Sequence, residues 1–321
     1  MNIRYVKHNE INKPLWDQCI RTAVNGRVYA YSWYLDIMAE EWDALISGDE
    51  SYETVFPLTY RKKFGIYYLH QPFFTQQLGI FSVNQITPEL VSHFLNAIPA
   101  KFLFAEINLN TLNKPDENKW RVNNNINYEL DLIEPFELIY KRFSNNVKRN
   151  VSKAEQKQVR VSDTVNPEEI VKLFRQNRGA SLQKLREHDY KRLIQLVYHG
   201  IHKQIAFSYG AYTSTNTLCA GMIIFISHYK ATFLFSATNE EARESGAMHM
   251  LISQFIYSAA GNHLTLDFEG SNDPQLGRFY KSFGAQKITY PSIIINRLPL
   301  PLNQVFGIYK KVRRYRVSRE S

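Results

Sequence analysis

The sequence predicts a mixed α/β protein with two similar halves, and three observations support this fold class. Helices with one apolar face alternate along the chain with strands of period two. In the second half, three strands follow one another closely over residues 205–213, 218–227 and 231–238, joined by hairpin-length turns. A helix, a strand, a short helix and a final strand come next, and the first half has the same rough order, which favours a duplicated fold.

In the first half, apolar periodicity and turn residues place the following elements. They are helices at 14–24 and 31–45, strands at 53–60 and 66–70, a helix from Pro88, strands at 101–109 and 126–132, and a helix from Pro135. Residues 113–127 are rich in Asn, Asp and Lys, which predicts a loop or hairpin.

The second half is easier to interpret. Its predicted elements are helices at 167–178 and 188–199, the three strands above, a helix at 248–259, a strand at 264–268, a short helix around 278–284 and a strand at 287–295. The strand at 264–268 runs directly into a polar loop at 269–274. Because open α/β sheets bind ligands beyond the carboxyl ends of their strands, we expect a buried central strand with a pocket at this loop.

Composition limits the class of protein. A length of 321 residues favours two domains, which we place at 1–143 and 144–321. No apolar run approaches the roughly 20 residues of a membrane span, no apolar signal core follows Met1, and two cysteines cannot form a disulfide framework. A cytoplasmic location is therefore expected.

The charge is basic and unevenly distributed. The net charge is +9 and the pI about 9.3, which favours polyanionic partners such as RNA, nucleotides or an anionic membrane. Residues 141–160 hold seven Lys and Arg against one Glu. Lys148, Arg149 and Lys153 lie on a predicted helix there, and they either grip phosphates or form an ordinary solvated face. Six basic residues between 310 and 319 suggest peripheral contact with anionic lipid.

Several other chemistries find no support in the sequence. The nine His are scattered without metal-ligand spacing, so no metal is expected. A serine nucleophile elbow, a Walker A loop and a dinucleotide-binding glycine motif are all missing, and no DNA partner is expected.

Three segments carry a family resemblance. They are Lys148 to Glu155, Leu266 to Gly270, and Phe279 to Gly284 with its F-Y-K-S-F-G sequence. In this order the chain resembles the FemAB-like, Fem-type aminoacyltransferases, which pair two domains of the GNAT acyltransferase fold. The resemblance implies tandem GNAT-like domains, the first degenerate. It also implies transfer of an acyl or aminoacyl group to a small-molecule or peptide amine, as in cell-envelope or peptidoglycan precursor metabolism. No bound cofactor is implied, and the co-substrate is aminoacyl-tRNA or acyl-coenzyme A.

The resemblance also implies roles for residues near the donor. Arg243 and Gly246 match the GNAT turn that binds pyrophosphate at a helix N-terminus, but Met248 stands where a small residue is expected. That departure favours an aminoacyl-tRNA donor, which makes tRNA a candidate partner. Tyr280 would contact the donor, and Lys281 would stabilise the negative charge that develops on the carbonyl oxygen, unless it is a plain surface lysine.

Proton transfer and acceptor binding are assigned to other residues. Asp267 or Glu269 would take the proton of the attacking amine, or else pair with Arg278 or Lys281. Gln76 and Gln77 are candidates for acceptor binding or for capping strands. Residues 31–35 loosely resemble a Fem segment that a lysine normally follows, yet no cation occurs here before Arg61, which counts against a UDP-muramyl-peptide acceptor. An acyl-coenzyme A-dependent N-acyltransferase and a non-catalytic nucleotide- or RNA-binding protein remain as alternatives.

Overall fold

Residues 2–181, 185–270 and 272–300 are described by a computed structural model. The strands are β1 (Ile3–Val6), β2 (Glu41–Ser47), β3 (Thr54–Lys63), β4 (Ile66–His70), β5 (Phe81–Ser82), β6 (Phe102–Asn108), β7 (Arg121–Asp131), β8 (Arg160–Ser162), β9 (Ala206–Tyr212), β10 (Leu218–Ser227), β11 (Lys230–Thr238), β12 (Thr265–Asp267) and β13 (Gln286–Asn296). The α-helices are α1 (Lys13–Thr22), α2 (Ser32–Met38), α3 (Pro88–Asn96), α4 (Phe136–Lys141), α5 (Asn145–Gln156), α6 (Pro167–Gln176), α7 (Glu187–His202), α8 (Glu240–Ser245), α9 (Ala247–Ala259) and α10 (Pro274–Lys281). Short 3₁₀ turns lie at His8–Glu10, Val28–Ala30 and Arg178–Ser181.

In this described part of the chain, the strands form one mixed sheet. Its order is β1-β2-β3-β4-β6-β13-β7-β12-β11-β10-β9-β8, with β5 beside β3. Most neighbours are antiparallel, whereas β4 with β6 and β11 with β12 are parallel. The fold class, mixed α/β, is confirmed.

Both halves contribute to the middle of the sheet. β13 lies between β6 and β7, and β7 pairs with β12 on its other side. Backbone hydrogen bonds of the sheet therefore join residues on the two sides of the predicted division at 143/144. The domain boundary at that position stays a prediction.

The predicted strand at 264–268 is confirmed as a buried, interior strand. β12 lies between β7 and β11, and Leu266, Asp267 and Phe268 are all buried. Leu266 packs into an apolar core with α9, where Leu251 and Ile256 are fully covered.

Two predicted elements differ from the structure. The helix predicted over 31–45 is α2 followed by β2, in which Trp42, Ala44 and Ile46 are buried. Apolar residues on both faces of a buried strand imitate a helical stripe, which explains the error. The loop or hairpin predicted over 113–127 is a loop as far as residue 120, and β7 then begins at Arg121. The asparagines of β7 give no strand signal because part of its length is exposed.

A glycine fixes the junction between α8 and α9. Gly246 has a left-handed backbone (φ 78°), and a Cβ there would lie 2.3 Å from the carbonyl oxygen of Asn150 on α5. The start of α9 thus packs directly on the α5 backbone.

Gly246→Ala is expected to lower the free energy of unfolding by more than about 1 kcal/mol, because strain and a backbone clash add together. Gly261→Ala is the matched control, since Gly261 has the same φ of 78° and a Cβ at that position would meet nothing within 4 Å. Urea unfolding of both variants measures the difference. Equal losses would show that the contact with α5 contributes nothing.

No helix in the described part of the chain is both long and apolar enough to cross a membrane.

Candidate active site

The parallel strands β11 and β12 separate in the interior of the sheet. Their ladder ends at the pair Thr232–Asp267, after which β11 continues through residues 233–238 while the chain leaves β12 into the loop at 269–274. Phe233 packs on Phe268 at 6.0 Å between ring centroids, so aromatic rings close the inner end of the opening. A splayed pair of parallel strands can admit an extended ligand between them.

Asp267 lies at this point of separation, and its carboxylate is fully occupied. Its Oδ2 accepts from Arg27 Nη1 at 2.9 Å, and its Oδ1 accepts from Asn127 Nδ2 and from the backbone N–H of Glu269, each at 2.9 Å. Arg27 and Asp267 are 6% and 0% exposed, so this is a buried ion pair. The sequence predicts Arg278 or Lys281 as the partner of a non-catalytic Asp267, but the partner is Arg27.

The fold brings Arg27 to this strand by docking the end of α1 and the segment after it onto the turn between β10 and β11. His228 in that turn shares a hydrogen bond with the Ile20 carbonyl through Nε2 at 2.9 Å. A Cβ at Gly26 would lie 2.3 Å from the His228 ring, so the glycine permits this close approach. Arg27 follows directly and points at Asp267.

Glu269 is held against the first half by Tyr29, whose hydroxyl donates to Glu269 Oε1. Burial raises the pKa of Glu269 well above its ordinary value, and the Asp267 charge raises it further, whereas Tyr29 and Arg27 oppose the shift. Glu269 has a positive φ of 50°, which is strained for a residue with a side chain. The adjacent Gly270 permits the loop geometry, because a Cβ there would lie 2.2 Å from the Asn127 Cα.

Two charged side chains adjoin the ion pair. Glu129 of β7 lies 3.9 Å from Arg27 Nη2 and accepts from Lys230 Nζ at 2.6 Å. The surroundings therefore balance two cations with two carboxylates, which leaves Glu269 in a site that favours its neutral form.

A cavity of about 400 Å³ adjoins Glu129. Its other lining residues include Asp131 and Thr265, at the end of β12 opposite the 269–274 loop. This cavity is therefore not the pocket expected at the 269–274 loop.

Of the two predicted acceptor residues, Gln77 joins the buried network. It is fully covered, its Oε1 accepts from Arg27 Nη2 at 3.4 Å, and its Nε2 donates to Gln76 Oε1 at 2.7 Å. Gln76 is half-buried. We call the set Arg27, Tyr29, Gln77, Asn127, Asp267 and Glu269 the Asp267 cluster.

The predicted phosphate-binding residues lie close to the predicted donor-binding turn. α5 packs against both α8 and α9, and its Asn150 backbone meets Gly246. Arg149 and Lys153 are exposed on α5, and Arg243 is exposed on α8. Lys148 is half-buried, with its Nζ 5.2 Å from the centroid of the Tyr140 ring. The helices that carry Arg149, Lys153 and Arg243 therefore adjoin α9, whose first turn has backbone N–H groups that favour anions.

The two predicted residues on α10 differ in exposure. Tyr280 is buried and stacks on Phe268 at 4.8 Å, and burial raises its pKa to about 12, with Glu269 adding to the shift. Lys281 is exposed at the end of the helix. Their roles in catalysis and donor binding stay predictions.

Sequence reasoning missed Arg27, Tyr29 and Asn127. Arg27 precedes a cation-free stretch at 28–60, but a single arginine between two helices has no signature of its own. The partners of Asp267 lie 240 and 140 positions away, and spacing within one element cannot reveal them.

Solved structures share this fold. The crystal structure of FemX matches with a TM-score of 0.66 and 13% identity over 95% of this chain and 99% of that one. A conserved protein of unknown function from Bacteroides thetaiotaomicron matches with a TM-score of 0.55 and 8% identity, over 88% and 97%. The C-terminal domain of a putative lysylphosphatidylglycerol synthetase from Agrobacterium fabrum gives 0.49 and 10%, over 87% and 92%.

No protein-family model matches the chain, and no curated protein sequence matches it significantly. At these identities the likeness concerns the fold alone, and it confirms the predicted FemX-like fold.

Proposed function

We propose that this protein transfers an acyl or aminoacyl group from an activated ester or thioester to an amine. The observation that carries the proposal is the separation of β11 and β12 at Asp267, directly beside the Asp267 cluster. Splayed strands can admit an extended acyl donor, and Glu269, whose pKa burial raises well above its ordinary value, follows directly after the point where they part. The FemX-like fold supports the same reaction class.

In the proposed reaction, the acceptor nitrogen attacks the carbonyl carbon of the donor with its lone pair. The carbonyl π electrons move to oxygen, and they return as the C–O or C–S bond to the leaving group breaks. Glu269, kept neutral by burial, gives its proton to the leaving oxygen or sulfur. It recovers a proton from the nitrogen of the new amide, so that protons balance over one turnover.

The other residues bind and position. Asp267 has its oxygens engaged by three donors, so we assign it to holding Arg27 and the 269–274 loop rather than to accepting the proton of the amine. Lys281 is proposed to stabilise the developing oxyanion, and Tyr280 to line the donor site. Gln76 and Gln77 are proposed to orient the acceptor.

For the donor we propose an aminoacyl-tRNA, held by Arg149, Lys153 and Arg243 around the first turn of α9. The donor class is tested by measuring the melting temperature with aminoacyl-tRNA, uncharged tRNA, acetyl-coenzyme A and a UDP-sugar in parallel, since ligands of the native state raise it. Transfer of a labelled amino acid from tRNA to an amine-bearing peptide is measured alongside.

Charge reversal on α5 gives a specific expectation. Arg149→Glu with Lys153→Glu should remove most of the stabilisation by aminoacyl-tRNA, and the loss should shrink at high salt, where exposed charges are screened within about 8 Å or less. Lys172→Glu with Lys191→Glu, at exposed positions of α6 and α7, is the control with the same change in net charge.

The outcomes separate the alternatives. Stabilisation and transfer with acetyl-coenzyme A alone would replace the tRNA donor by acyl-coenzyme A. Binding of tRNA or nucleotide without transfer of any acyl group would favour the non-catalytic alternative. An equal effect of the α5 variant and its control would reject α5 as a phosphate site.

A further inference from the structure

We infer that the hairpin of β3 and β4 docks this protein onto the surface of an anionic phospholipid bilayer. Phe64 stands at the tip of the hairpin and is 92% exposed, more than the other large apolar side chains of the described residues. Its φ of 50° and the neighbouring Gly65 form the tight turn that presents the ring to solvent. The exposed ring presents apolar surface whose transfer out of water is favourable.

The hairpin tip extends beyond the strands on either side. β2 begins opposite Tyr60, and β6 pairs with β4 only from Tyr67 onward. The last hairpin pair, Lys63 with Ile66, therefore lies beyond both neighbours. A protruding convex tip can enter a membrane interface, whereas stacking of nucleic-acid bases requires a groove.

The charge around the ring matches an anionic surface. Lys62 and Lys63 are exposed beside Phe64, and their ammonium groups lie 5.0 Å from the Tyr67 ring centroid and 5.4 Å from the Phe64 ring centroid. Residues 54–88 contain no Asp or Glu. Cations around an exposed apolar ring resemble the arrangement by which interfacial segments bind anionic lipid.

The end of the described chain lies at the same end of the sheet. β13 finishes opposite Phe104, near the start of β6, and the backbone N–H of Arg297 donates to the Leu103 carbonyl at 2.7 Å. The chain continues from there into the basic residues of 310–319, which lie outside the described residues. Since Asp267 and the start of β13 both lie opposite Glu129, and β13 spans 11 residues, this end is roughly 30 Å from Asp267. Docking through the hairpin would leave the candidate active site uncovered.

The test uses the full chain and vesicles of phosphatidylcholine, with and without one third phosphatidylglycerol. We expect sedimentation with the anionic vesicles only, and less of it at high salt. Lys62→Gln with Lys63→Gln should weaken partitioning roughly 30-fold, as two cations near an anionic surface contribute. Phe64→Ser should weaken it by a similar order. Lys172→Gln with Lys191→Gln, and Tyr229→Ser in the exposed β10–β11 turn, are the controls.

A second measurement does not depend on the binding strength of a variant. Both native cysteines are buried, so Phe64→Cys carries a single accessible thiol for an environment-sensitive dye. Its emission should shift to the blue on addition of anionic vesicles, and the same dye at Tyr229→Cys should not respond. The inference would be overturned if the wild-type protein did not bind the anionic vesicles, or if hairpin and control variants lost binding equally. It would also be overturned if the hairpin variants lost tRNA binding while vesicle binding persisted.

Discussion

Replacing Arg27 by Met is expected to lower the free energy of unfolding by about 3–5 kcal/mol, because it leaves the buried carboxylate of Asp267 without its cation. The side chain of Arg27 is also the link between the segment after α1 and the centre of the sheet, with contacts to Gln77 and Glu129. Chemical denaturation measures the loss. Arg160→Met is the control, since Arg160 is an exposed arginine on β8.

A double-mutant cycle separates the ion pair from the packing. Arg27→Met combined with Asp267→Leu removes both charges, so its loss should be smaller than the sum of the two single losses by more than about 1 kcal/mol. Additive losses would mean that the two side chains stabilise the fold independently, and the account of Asp267 as the anchor of Arg27 would be wrong.

Glu269→Gln is expected to lower turnover by ~10²-fold or more, because glutamine keeps the shape and cannot give a proton to the leaving group. The affinity for the donor should change little. Lys281→Met provides a comparison on the exposed end of α10, and it should also slow turnover, through loss of charge at the oxyanion. A fully active Glu269→Gln protein would reject the proposed proton transfer.

Glu269→Gln should also change how the stability of the protein depends on pH. Burial raises the pKa of Glu269 in the folded protein above its ordinary value of 4.5, so the folded state holds the proton more tightly than the unfolded chain. The contribution of Glu269 to the free energy of unfolding is fully present below about pH 4.5, and it is lost as the pH rises through the pKa of Glu269 in the folded protein. Glutamine does not titrate, so the unfolding free energy of the variant should gain on that of the wild type as the pH increases. A difference independent of pH would contradict a raised pKa of Glu269.

The sequence is sufficient for most elements with a clear apolar period. β4 at 66–70, the strand order of residues 205–238 and helix α9 follow directly from alternation and helical spacing. β2 escapes prediction because it is buried on both faces, where strand and helix patterns coincide. The pairing of β13 between β6 and β7 has no local signal, since it depends on contacts more than 150 residues apart.

The sequence predicts residues of the site only where they adjoin a strand or turn with a clear local pattern. Asp267 and Glu269 can be found because a polar loop follows an apolar strand, and Gln77 because it lies in a polar turn. Arg27 and Asn127 cannot be found in this way, because burial of a charged or polar residue can be predicted only when its partner across the fold is known.

The position of β13 has a consequence for synthesis of the chain. Strands β6 and β7 are made long before β13, yet it is β13 that fills the gap between them. Until residues 286–296 emerge, the growing polypeptide carries two open strand edges, one on each side of the future centre of the sheet. Exposed edges of this kind pair readily with other chains, so an interrupted or slowly translated copy is the form most prone to aggregate. The strand that is synthesised last therefore completes the sheet by pairing with both β6 and β7. A premature stop codon before residue 286 would leave a product in which these two edges stay unpaired.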